Sequence, residues 1–326
     1  MTLFLLCLLT LVPPLLASEE WNAFKKTYNK SYANAREENF RKQIFLEKLK
    51  LVEEQNRKFE KGLSSFSAAI NRFADLLREE VFKTKSDSEV EEKPSARPLR
   101  PLPREDVPDS IDWRDYGVVT PVADQFYCQS CWAFAVVATV EAHMGIYRQQ
   151  NVSLSQQNLI DCVDPNFDCD QYLDRNMVDK TYQYIIDNHG IDTVDSYLYE
   201  YVVGECRFSS DNVGATIAGY GNITEGDEEE LKTVVGTIGP VTVVITTDID
   251  WELYRSGIYY SEDCMNTTEI FNHVVVVVGY GNENGEDYWI VKNSWGTWFG
   301  EDGYIRMARN RDNLCGIASI ARYPIM

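Results

Sequence analysis

Histidine is scarce in this chain, with three in 326 residues. Any chemistry that needs an imidazole must therefore use His143, His189 or His273. A zinc site is poorly supplied: Cys128 and Cys131 form one close pair, and no second pair lies nearby. No metal and no cofactor are expected. Basic charge is also short. Lys and Arg number 31 against 51 Asp and Glu, a net charge of −20, which excludes gripping a nucleic-acid backbone through a basic patch. Beyond residue 17 no apolar run is long enough to span a bilayer, so no stable membrane insertion is expected.

The one apolar run present is at the front. Residues 1–17, MTLFLLCLLTLVPPLLA, end in a small residue and contain Pro13-Pro14. They read as a signal peptide cleaved near Ala17 or Ser18. The secretory pathway follows, with the lysosome or the extracellular space as destination. Sequons at Asn29, Asn151, Asn222 and Asn266 agree with glycosylation on that route. Of eight cysteines, Cys7 leaves with the leader. The seven that remain suggest three bridges and one free thiol.

Charge divides the rest. Residues 1–106 carry 19 Lys and Arg against 17 Asp and Glu, while residues 107–326 carry 12 against 34. Either the front segment docks on the acidic body partly by charge, or the body simply has a solvated acidic surface. Residues 19–61 have helical periodicity through Trp21, Phe24 and Tyr28 and then Phe40, Ile44, Phe45, Leu49 and Val52, and Phe66–Phe73 reads as a strand. The segment SDSEVEEKPSARPLRPLPRED is polar and Pro-rich, an exposed linker open to proteolysis. Three domains follow: a leader at 1–17, a front segment at 18–106 and a body at 107–326. In the body, residues 130–200 look helical and residues 215–326 mostly extended, which predicts an α+β fold of two lobes with a cleft between them.

The chemistry centres on QFYCQSCWAF. Cys131 lies where an irregular stretch meets a long apolar helix, and the positive end of a helix dipole favours thiolate. A thiolate nucleophile needs an imidazole to exchange protons with and a third group to orient it. His143 lies in the same helix twelve residues on, about 18 Å along the axis, too far to pair. His189 lies in a helix-ending NHG turn. His273, opening the strand HVVVVVGYG, remains as the partner. Asn293 in KNSWG could accept its other N–H, with Trp295 shielding that bond from water.

With these motifs the chain resembles the papain family of cysteine proteases, in particular cathepsin L-like precursors. QxxCxSCWAF, NHxVxxVGYG and YWIVKNSWG occur in the family's order. The resemblance implies a papain-like fold of a helical and a β-barrel-like lobe behind a helical inhibitory pro-region. It implies a cysteine endopeptidase, made as a zymogen and matured by acid or proteolysis near Val107, acting on peptides and proteins. The partners implied are those substrates, its own pro-region as inhibitor and protein protease inhibitors, and a monomer is expected. Cys131 would be the nucleophile, His273 the acid/base, Asn293 the orienting group, and Gln125 with the Cys131 N–H the oxyanion hole. The pro-region pattern falls on Glu37, Arg41, Phe45, Lys48, Val52 and Asn56, with Asn expected at Lys48. A second motif falls on Ala69, Asn71, Phe73 and Asp75. The family's bridges map to Cys128–Cys169, Cys162–Cys206 and Cys264–Cys315, leaving Cys131 free. The main acyl-side pocket would be Leu173, Asp174, Val244, Val274 and Ile320, mainly apolar and suited to an aliphatic or aromatic residue.

The departures lie near the cleft. Phe126, Gln129, Gln171 and Tyr172 stand where the family has glycine, two of them where substrate backbone runs close. Gln171 and Tyr172 either swing outward and merely narrow the non-primed side or leave an altered, partly blocked cleft, and a catalytically weak or narrow-specificity homologue with a binding or regulatory role is the alternative to an active enzyme. The second tryptophan of the family's NSWG region is replaced by Phe299, with Trp298 beside it. The C-x-x-C of CQSC admits a thioredoxin-like redox reading, which lacks its βαβ context and leaves His273 and Asn293 unexplained.

Overall fold

A computed structural model describes residues 14–82, 107–170, 173–264 and 271–326, with side chains from Ser18 onward. Most of the expected leader, the Pro-rich linker, Gln171, Tyr172 and Asn266 lie outside the described residues. The helices are α1 (Pro14–Thr27), α2 (Ala35–Glu60), α3 (Arg78–Val81), α4 (Cys131–Arg148), α5 (Gln156–Cys162), α6 (Met177–Asp187), α7 (Glu228–Thr237) and α8 (Ile249–Glu252). The strands are β1 (Phe66–Ala68), β2 (Ile111–Asp112), β3 (Ile191–Asp192), β4 (Val213–Ala215), β5 (Gly219–Asn222), β6 (Val241–Ile245), β7 (Tyr254–Tyr259), β8 (His273–Glu283), β9 (Glu286–Lys292), β10 (Tyr304–Ala308) and β11 (Ile320–Ile325). A helical stretch followed by a β-rich one is the expected α+β division.

The valine run of β8 explains how two cores share one sheet. Side chains alternate across a strand. Val275 and Val277 enter a core with Trp289, Val291 and Ile305. Val274, Val276 and Val278 enter a second core built on α4, α5 and α6. Both faces are covered, so the strand reads as continuous valine rather than as apolar-polar alternation. β8 pairs with β6 and β9 antiparallel, and β2 adds to its edge. α4 is apolar nearly all round because it lies inside the second core. The lobes also meet at a polar seam, where Lys292 Nζ donates to the Thr120 carbonyl at 2.7 Å and the Thr120 hydroxyl donates to Glu141 at 2.6 Å.

The front segment docks onto this body. α2 starts at Asn34, whose side chain accepts the Arg36 and Glu37 N–H groups at 3.0 Å, a helix cap. It buries Ile44, Phe45, Lys48, Leu49, Val52 and Gln55 along one face. The stretch expected to be a strand over Phe66–Phe73 is a strand only over β1; a turn begins at Arg72. Asn56 holds β1 against α2, accepting the Ala68 N–H at 2.9 Å and donating to its carbonyl at 3.0 Å. On its other edge β1 pairs antiparallel with β7 of the body, the addition of a strand to an exposed sheet edge. Gly257 makes this possible. A Cβ there would come within 2.3 Å of the Ser65 carbonyl oxygen, and its φ of +97° is open to glycine at little cost.

Charge contributes to the docking, as one of the two sequence readings held. Lys48 pairs with Glu252 at 2.5 Å and donates to the Phe73 carbonyl at 3.0 Å. Asn71 donates to the Glu252 carbonyl at 2.7 Å. Arg72 pairs with Asp124, and Arg78 donates to the Thr247 carbonyl.

Candidate active site

Cys131 is the first residue of α4 and His273 the first of β8, so the two lobes each bring one residue to their junction. His273 Nε2 lies 2.8 Å from Asn293 Oδ1, which also accepts the Ser294 N–H at 2.8 Å. An amide oxygen only accepts, so Nε2 carries the imidazole proton. Nδ1 is left with a lone pair, the form required of a base. Trp295 shields the pair, its ring centroid 5.2 Å from the imidazole, and Trp251 approaches from another side at 5.3 Å.

Gln125 is buried and fixed at three points. Its N–H donates to the Ser294 carbonyl at 2.8 Å, its Oε1 accepts the Ser294 hydroxyl at 2.5 Å, and its Nε2 donates to the Cys128 carbonyl at 2.8 Å. An amide nitrogen has two hydrogens, and this bond uses one of them. Among the described cysteines Cys131 is the one free thiol, and the three expected bridges are all formed. Cys128–Cys169 ties the stretch before Cys131 to the loop containing Asp170.

The other histidines stay out of the chemistry. His143 is buried in α4 with Nε2 2.9 Å from the Pro240 carbonyl, and His189 takes a left-handed φ of 57° at the turn after α6.

The thiolate expectation needs correction. Burial pushes the Cys131 thiol up to about 12, outweighing the backbone N–H groups of Val274, Trp132 and Cys131 that draw it down. Burial likewise pushes His273 down to about 4, against the Asn293 hydrogen bond that raises it. Both groups are neutral in this state. The front segment contributes to this burial: Phe82 meets His273 edge-on at 5.6 Å and lies 5.4 Å from Trp295, and the Val81 carbonyl accepts the Gln129 side chain at 3.0 Å. Gln129 therefore binds the strap that closes the cleft. Phe73 adds edge contacts to Trp295 and Trp298.

The strand register sets three of the residues expected to line the apolar pocket side by side. Ile320 pairs with Val244, and Val244 with Val274, in adjacent strands. Leu173 packs against the same core. Asp174 pairs with Lys180 at 2.8 Å and accepts the Asn176 N–H at 2.9 Å. Of the sequons, Asn29 and Asn151 are exposed, and Asn222 is half-buried on edge strand β5. Sequence reasoning missed Asp124, Trp251, Ser294 and Glu252. Ser294 stood inside KNSWG, but nothing in the sequence singled out the other three.

Residues 107–325 match the papain family of cysteine proteases, and residues 21–81 match the cathepsin propeptide inhibitor domain. A cathepsin L-like peptidase of Aedes aegypti is 41% identical over 95% of this chain and 94% of its own length. Digestive cysteine proteinase 1 of Homarus americanus is 40% identical over 94% and 95%. Digestive procathepsin L2 proteinase from the larval midgut of Tenebrio molitor superposes with a TM-score of 0.86 at 39% identity, over 95% of this chain and all of that one. The chain belongs to the papain family of cysteine proteases. Within that family it is a cathepsin L-like protease in its zymogen form, with its own propeptide as inhibitor.

Proposed function

We propose that Cys131 is the nucleophile of an endopeptidase whose precursor is silenced by residues 18–106 and opened by cleavage near Val107. His273 Nδ1 takes the thiol proton, the thiolate attacks the peptide carbonyl, and the oxyanion rests on Gln125 Nε2 and the Cys131 N–H. The imidazolium then protonates the leaving amine, and water hydrolyses the thioester. The observation that carries this reading is the His273–Asn293 hydrogen bond, which sets the imidazole tautomer and leaves Nδ1 for the thiol. Leu173, Val244, Val274 and Ile320 favour an aliphatic or aromatic side chain on the acyl side. Three disulfides and exposed sequons support a life in the secretory pathway, in the lysosome or outside the cell.

The test is cleavage of a peptide library by acid-processed protein beside its Cys131→Ala variant. Cleavage by the first alone, with a preference for apolar residues two positions before the cut, is expected. Equal signal from both proteins refutes the assignment. Absence of cleavage by either, after complete removal of the pro-region, favours the binding or regulatory alternative.

A further inference from the structure

In the zymogen, the guanidinium of Arg72 occupies a built cage. Its Nη1 donates to Asp124 Oδ2 at 2.8 Å and its Nη2 to Asp124 Oδ1. Its central carbon lies 4.6 Å from the Trp298 ring centroid, 5.1 Å from that of Phe126 and 5.2 Å from that of Phe73. This arrangement combines the two strongest ways of holding an arginine, a bidentate carboxylate and aromatic faces.

Only Phe73 and Arg72 itself belong to the pro-region. The rest of the cage is peptidase, and peptidase residues hold it in shape. The Phe126 N–H donates to Asp124 Oδ1 at 2.8 Å, and the Trp298 indole N–H lies 3.4 Å from Oδ2. Trp298 lies parallel to Trp295 at 6.3 Å, and Phe126 meets Tyr201 edge-on at 4.8 Å. Phe126 has a φ of 54°, a left-handed conformation that costs a side-chain-bearing residue free energy. The chain carries that cost at a position where the family has glycine, and the ring it gains is a wall of the cage. A Cβ at Gly296 would fall 2.9 Å from Asp124 Oδ2, so the glycine leaves the carboxylate its room.

The cage is placed to meet substrate. Asp124 immediately precedes the oxyanion residue Gln125, and Trp298 stacks on the tryptophan that covers His273. Val244, Val274 and Ile320, expected to line the acyl-side pocket, belong to the other core, whereas Trp298 packs with Trp295 in the first. The cage therefore lies on the leaving-group side.

We propose that Asp124, Phe126 and Trp298 form a cation-accepting subsite that in the matured enzyme takes an arginine side chain of the substrate on the leaving-group side of the scissile bond. Arg72 holds that place in the precursor. Arginine is preferred over lysine because a planar fork fits both the carboxylate and the ring faces, whereas an ammonium fits only as a point charge. The subsite deepens the reading of Cys131 and His273 as the reacting pair and rests on it.

The full chain, matured by acid, is assayed on internally quenched peptides with one acyl-side sequence. Arginine or its neutral isostere citrulline stands at the first, second or third position after the cut. At one of these positions kcat/KM for arginine should exceed that for citrulline about tenfold. The ratio should fall towards one in Asp124→Asn and be reduced in Phe126→Gly, a variant whose backbone is relieved rather than strained. Because each ratio is taken within one protein, a general loss of activity cancels. A ratio near one at all three positions in the parent overturns the proposal. So does a ratio equal at every position that survives Asp124→Asn, which marks bulk acidity of the enzyme instead. Cleavage of neither peptide, by contrast, refutes the proteolytic reading on which the subsite rests.

Discussion

Replacing Lys48 by Met tests whether one buried charge pair locks the precursor. The substitution keeps most of the aliphatic stem and removes the ammonium. Glu252 loses its ion-pair partner, and its side chain is fully buried. Its second oxygen, Oε2, already lacks a hydrogen-bond partner. Breaking a buried pair from one side costs about 3–5 kcal/mol, since the remaining charge is uncompensated. The Phe73 carbonyl loses its donor as well. Docking of the pro-region should therefore weaken roughly 100- to 1000-fold or more at neutral pH. The loss should shrink in acid. Burial raises the Glu252 carboxyl above its ordinary value even against Lys48, and without Lys48 it takes up a proton more readily. A proton neutralises the orphaned charge and removes most of the penalty. The assay is protease susceptibility of the pro-region in a Cys131→Ala background, which prevents self-processing, measured at pH 7.5 and pH 4.5 with Glu252→Gln completing a double-mutant cycle. A Lys48→Met chain as resistant as its parent at pH 7.5, or a loss identical at both pH values, would refute the reasoning.

Acid release must then come from other groups, and Glu80, beside the residues that cover the site, has a shift of the right sign. The Arg41 guanidinium beside it, at 2.5 Å, holds its carboxyl below the ordinary 4.5, helped by the Leu77 N–H. A carboxylate depressed in the docked state contributes stability above its undocked value and loses it as pH falls through the docked one. Below about pH 4.5 the cap of α3 should loosen, and with it Val81 and Phe82 over the site; Glu80→Gln should mature at a higher pH than the parent, and an unchanged pH profile of processing counts against this latch. In the matured enzyme, Gln125→Ala should lower kcat about 100- to 1000-fold through loss of an oxyanion donor. Asn293→Ala should lower it about 100-fold by freeing the imidazole to turn, and a near-parental kcat removes that residue from the chemistry. Thiolate absorbance near 240 nm should be absent from the full chain at pH 7 and appear on maturation; a full chain that already shows it contradicts the neutral pair.

The reaction centre was legible because its residues are rare or locally marked. Three histidines reduced to one by elimination, an odd cysteine count left one thiol, and KNSWG supplied the amide. The valine run of β8 announced a strand, though not that both its faces are covered. The contacts that keep the enzyme closed were not legible in the same way. Lys48 and Glu252 stand 204 residues apart, and neither is unusual where it stands. Lys48 was visible as a departure from the family pattern, but its partner was not, because only the pairing of β1 with β7 brings α2 to α8. Phe66–Phe73 read as a longer strand for a related reason: its apolar residues are spent on contacts with two different surfaces, β7 and the tryptophans of the cleft.

The same dependence on tertiary placement overturned the thiolate expectation, and it explains why closure by this pro-region is more than a plug. A helix start favours thiolate only while solvent or an imidazolium shares the charge. Phe82 covers His273, and burial of the site moves the thiol up and the imidazole down together. With the proton held on sulfur, a peptide that slipped past the strap would meet a poor nucleophile. Opening the cleft reverses both effects at once: water returns to the charged forms, the dipole of α4 regains its weight, and the Nδ1 lone pair fixed by Asn293 is already in the form that accepts the thiol proton. On the reading proposed above, one event, the departure of Val81 and Phe82, would control access and reactivity together.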